Sequence, residues 1–142
     1  MRAQHLGIAV AAVALACSSS PSTNGDDANF PSDPLMTVSS DTGALRVAVR
    51  TAPSQPPPRG TITVELDVRD AHGVPQDGLA IDVVPLMPSH GHGASVKPTV
   101  VAKTGGVYLV RDVDLFMPGD WELRLTFAGP VSDHAAPKIT IP

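Results

Sequence analysis

In the stretch TITVELDVRD, residues 61–70, Ile62, Val64, Leu66 and Val68 alternate with Thr63, Glu65, Asp67 and Arg69. Such a period of two puts apolar side chains on one face and polar ones on the other, the pattern of a strand with one wet face. ALRVAVRT, residues 44–51, repeats it through Leu45, Val47 and Val49, and WELRLTF, residues 121–127, through Trp121, Leu123, Leu125 and Phe127. Less regular runs predict further strands at 79–86, 97–103, 106–115 and 138–141. Between them stand DAHGVPQDG, TGG, MPGD and AGPVSD, rich in residues that set turn dihedrals or bond their own backbone. No window carries a helical period of useful length. Seven short strands punctuated by turns predict an all-β fold, an immunoglobulin-like antiparallel β-sandwich.

The amino-terminal residues follow a different pattern. Arg2 precedes an unbroken run of Leu, Gly, Ile, Val and Ala over residues 6–16. A membrane-spanning helix needs about 20 such residues, so residues 1–16 are read as a secretory signal peptide and set apart from the fold. Ala14-Leu15-Ala16 suits ordinary signal peptidase, while Cys17 directly after it gives the stretch the look of a bacterial lipobox, with Ala14 where leucine is usual. Cys17 is the only cysteine, so it has no partner for an intrachain disulfide. A diacyl or triacyl anchor on Cys17 would hold the protein to a membrane without a transmembrane helix. Residues 17–35 are rich in Ser, Pro, Asn and Asp and are expected to form a disordered tether, which leaves 36–142 as the folded domain.

Composition narrows the function. Removal of the leader leaves nine basic and fourteen acidic residues, a net charge of −5 with no basic run, which argues against nucleic acid as a partner. No serine lies in a nucleophile elbow, Cys17 belongs to the leader, and neither a phosphate-binding glycine loop nor zinc-type Cys/His spacing is present, so no catalytic activity is expected. Trp121 shares its strand face with Leu123, Leu125 and Phe127 and is read as the core's large anchor. The class that remains is an accessory module docking onto another envelope protein.

One loop carries candidate chemistry. PLMPSHGHGAS, residues 85–95, sets Met87, His90 and His92 within six positions of one another. Thioether and imidazole together suit copper, and Gly91 and Gly93 let the backbone adapt around an ion. If seven strands run alternately up and down, the third connection (87–96) and the fifth (116–119) leave the sandwich at one end, together with the first (52–60). That parity lets Met117 join Met87, His90 and His92, and places His72 and His134 at the opposite end. The bland alternative stands beside it: a glycine-rich mobile tip, with Met87 finishing a buried strand after Val84 and Leu86, and Met117 plugging the core.

The loop around MPSHG, followed by GGVYLV and then MPGDWELRLTF, resembles the YtkA-like domain of bacterial secreted proteins and lipoproteins, with FixH-like domains related to it in layout. The resemblance spans about residues 45–141 and is most specific at 87–91 and 117–127. It implies an immunoglobulin-like sandwich outside the cytoplasm and links to copper handling or respiratory-oxidase maturation. Ser89 stands where a further methionine of that loop would be expected.

Overall fold

The computed structural model describes residues 28–142, so the expected signal peptide, Cys17 and the first part of the expected tether lie outside the described residues. Ten strands follow in chain order: β1 Met36–Ser39, β2 Leu45–Ala52, β3 Gly60–Asp70, β4 Ala80–Met87, β5 His92–Gly93, β6 Thr99–Ala102, β7 Val107–Leu115, β8 Gly119–Ala128, β9 Asp133–Ala135 and β10 Lys138–Ile141. They form an antiparallel two-sheet sandwich, with order β1-β2-β3-β7-β6 in one sheet and β10-β8-β4-β5 in the other, β9 also pairing with β8. The seven predicted strands correspond to β2, β3, β4, β6, β7, β8 and β10. The additional β1, β5 and β9 are four residues or fewer, too short for alternation to register.

Period-two patterning forms these strands because one face can then be buried against the opposite sheet. Leu45, Val47, Val49, Val64, Leu66 and Val68 from one sheet meet Val83, Met87, Trp121, Leu123, Leu125 and Ile139 from the other in a single core. In β4 the buried set is Val83, Pro85 and Met87, while Val84 is exposed, the opposite phase to a buried run through Val84 and Leu86. In β7 a bulge opposite β3 sets Arg111 and Asp112 against Thr63, and Asp112 takes φ 60°. The extra residue moves the inward positions from Tyr108 and Val110 to Val113 and Leu115, which explains why β7 lacks clean alternation in the sequence.

The tether expected over 17–35 is ordered at its far end. Leu35 donates its amide to the Val49 carbonyl at 2.8 Å, and the Arg50 and Gln55 side chains bond the carbonyls of Ser32 and Asp33. These bonds from β2 and the following loop tie Ser32, Asp33 and Leu35 to the domain, where composition alone predicts disorder.

The loops sort by end. Leu115 pairs with Gly60 and Leu86 with Glu122, so the connections 53–59, 88–98 and 116–118 all leave at one end. At the other end Tyr108 ties the β3–β4 crossover, its hydroxyl donating to the Gln76 carbonyl at 2.7 Å and accepting from the Leu79 amide at 3.1 Å.

Candidate functional site

The loop after β4 begins with one turn of helical backbone. The amides of His90 and Gly91 both donate to the Met87 carbonyl, at 3.2 and 3.0 Å, and Gly91 closes the turn at φ 66°. Glycine suits that left-handed position because it has no side chain to collide with the backbone. The chain then doubles back, and His92 and Gly93 pair with Met87 and Leu86 as β5. Gly93 is needed for a different reason: a side-chain carbon there would lie 2.7 Å from the Pro85 carbonyl oxygen. The turn and the return strand bring His90 and His92 together, with ring centres 5.6 Å apart and planes tilted by 46°.

The second connection meets the first at this point. His92 stacks on Phe116 at 5.8 Å with planes 17° apart, and both rings meet the edge or face of Trp121, at 6.4 and 5.4 Å. Trp121 is fully buried, and its Nε1 donates to the Met117 carbonyl at 2.9 Å, which fixes the 116–118 turn to the core. His90 is exposed and His92 half-buried.

The remaining candidates fall into place around this centre. Met87 is fully buried, and its methyl lies 3.2 Å from the point a side-chain carbon on Gly119 would occupy. Met117 is partly buried and packs against the core. His72 sits in the β3–β4 connection at the other end, its amide held by the Asp70 carboxylate at 2.8 Å. His134 lies on β9 opposite Thr126. Neither joins the histidine pair. Phe116, which sequence reasoning missed, is the aromatic that touches His92; its only signal is an aromatic one place past the inward Leu115.

Imidazole nitrogens bind first-row metals at about 2.0–2.1 Å, which puts each ring centre about 3.2 Å from the ion. With one nitrogen of each ring turned toward a shared ion, a 5.6 Å separation of centres would correspond to a nitrogen–metal–nitrogen angle of about 120°, near trigonal or tetrahedral values. Among the described residues no three His, Cys, Asp or Glu side chains group closely enough to hold an ion, so protein ligands beyond the pair would be thioethers. The nearby carboxylates on β8 are engaged elsewhere: Asp120 accepts from Thr140 at 2.7 Å, and Glu122 pairs with Arg124 and Lys138.

The YtkA-like family model matches residues 41–126, a stretch that contains both connections and everything from the β1–β2 turn into β8. The chain belongs to the YtkA-like family. In this YtkA-like domain β9 and β10 lie beyond the matched stretch and complete the second sheet along β8. Neither the curated proteins nor the solved structures contain a match to it.

Proposed function

We propose that this YtkA-like protein is a non-catalytic accessory module, held at the bacterial cell envelope by a lipid on Cys17 and working through the loop end of its sandwich. The observation that supports this end as the contact surface is Phe116, a large apolar side chain left 41% exposed beside the two histidines. Aromatic side chains are enriched at recognition surfaces because they bring much contact area at small entropic cost. Its partners on this reading are the membrane, through the anchor, and another envelope protein. The anchor is tested by fractionating cells that express the full chain: wild type stays with the membrane after a salt wash, and Cys17→Ser appears in the soluble fraction. Equal release of both would sink the lipid assignment.

A second, more specific reading draws on the 5.6 Å spacing of His90 and His92: the loop end binds copper, and the module is a copper-binding or copper-delivery protein. Met117, partly buried at the same end, is the thioether open to joining the pair, whereas Met87 is sealed in the core. Copper titration of the protein under reducing and under oxidising conditions is expected to show a Kd below about 1 μM in at least one state. The His90→Ala, His92→Ala double variant is expected to lose that binding while melting as wild type does. Affinity unchanged in the double variant removes copper from this loop.

A further inference from the structure

We propose that Phe116 is a positioning residue for His92, holding its imidazole ready for copper with Nε2 as the ligating nitrogen; this rests on the copper reading above. Phe116 follows the inward Leu115 and stands 41% exposed, so burial in the core does not account for an aromatic there. Its ring is spent on His92, 5.8 Å away and nearly parallel at 17°. On its other flank it meets Trp121 at 5.4 Å and 70°, the edge-to-face arrangement that aromatic pairs favour. Trp121 is in turn fully buried and bonded through Nε1 to the Met117 carbonyl.

The chain of contacts carries the rigidity of the core out to a half-buried ring on a glycine-flanked loop. An unsupported histidine at such a tip samples several χ1 and χ2 wells and must lose that freedom on binding an ion. Stacking removes part of the freedom beforehand, which is preorganisation. The other ring nitrogen is also provided for: Nδ1 of His92 faces the Gly93 carbonyl at 3.4 Å. With the proton on Nδ1 donated there, the lone pair of Nε2 is left for the metal, the usual way a second contact selects a histidine tautomer.

Two substitutions separate a flat ring from bulk alone. Phe116→Leu keeps an apolar side chain without a stacking face, and Phe116→Tyr keeps the ring. Copper affinity is expected to fall about ten-fold in Phe116→Leu, at unchanged melting temperature, and to return close to wild type in Phe116→Tyr. A second readout needs no metal. Long-range ¹⁵N–¹H correlations of the metal-free protein at about pH 8, where an ordinary histidine is neutral, are expected to show His92 as one Nδ1-protonated tautomer in wild type and Phe116→Tyr and as a mixture in Phe116→Leu. Copper affinity unchanged in Phe116→Leu, or a tautomer mixture already present in wild type, overturns the proposal. If wild type binds no copper, the copper reading fails by itself. The His92 spectrum then still decides the positioning role: a tautomer lost only in Phe116→Leu sustains it, and identical spectra overturn it.

Discussion

Met87 illustrates how one side chain can belong to a core and border a site at once. It has no exposed surface, and its methyl packs over Gly119, yet its carbonyl anchors the turn that presents His90. Both roles are independent of sulfur chemistry, so Met87→Leu, a near volume-conserving change, should cost less than about 1.5 kcal/mol by thermal or urea unfolding. Copper affinity should survive it; a marked loss at preserved stability would instead make the thioether a ligand. At this scale His90 and His92 were legible as candidates from residue type and spacing alone. Phe116 was not, because a residue one step past a strand's end has no phase, and its direction is set by the 116–118 turn that Trp121 fixes.

At the scale of elements, the site is the unit formed by β4, one helical turn and β5, and it hangs on two glycines of different kind. Gly91 stands in open space at φ 66°, so Gly91→Ala carries only the left-handed penalty of about 1–2 kcal/mol, read as lower stability with the pair of β4 and β5 intact. Gly93→Ala forces a carbon onto the Pro85 carbonyl at 2.7 Å, and backbone must move. The expected result is loss of the two-residue pairing and displacement of His92, seen as weakened copper binding and altered His92 resonances, while the core transitions remain. Normal copper binding in Gly93→Ala would show that β5 is dispensable to the site. The long strands β2, β3 and β8 were plain in the sequence, since each buries one face along its whole length. β7 was blurred by its bulge at Asp112, and β5 was invisible, because two residues carry no period and their pairing is decided by the turn before them.

Across the whole molecule the two sheets are clasped at the end away from His90 and His92. Asp133, on β9 and 3% exposed, binds the amide and hydroxyl of Thr42 in the β1–β2 turn, and the Asp41 amide bonds the His134 carbonyl at 2.8 Å. The Ser40 hydroxyl, within 3.3 Å of the Leu45 carbonyl, has one proton to give, and a charged carboxylate is the stronger acceptor for it. The hydroxyls of Ser40 and then Thr42, with help from the His134 and Thr42 amides and against the opposing effect of burial, lower the Asp133 pKa from 3.8 to about 2. A depressed carboxylate stabilises the fold above its unfolded pKa, and that contribution disappears as pH falls through the window from 3.8 to about 2. Wild type is therefore expected to lose melting temperature across this window more steeply than Asp133→Asn, which should be the less stable protein at neutral pH and close the gap in acid. Parallel melting curves for the two proteins over that range would exclude the clasp.

By itself the sequence determined the all-β class, the chief strands and the end of the sandwich to which the Met/His loop belongs. Alternation and connection parity are local or countable properties, and burial of one strand face leaves them little freedom. Tertiary structure alone decided that His90 and His92 face each other, that Met87 lies sealed in the core, and that Phe116 joins His92 to Trp121. Each of those depends on where a short turn aims a side chain across a gap between distant segments. That aim is set by particular carbonyl acceptors and by glycines without a Cβ, which the hydrophobic pattern does not encode.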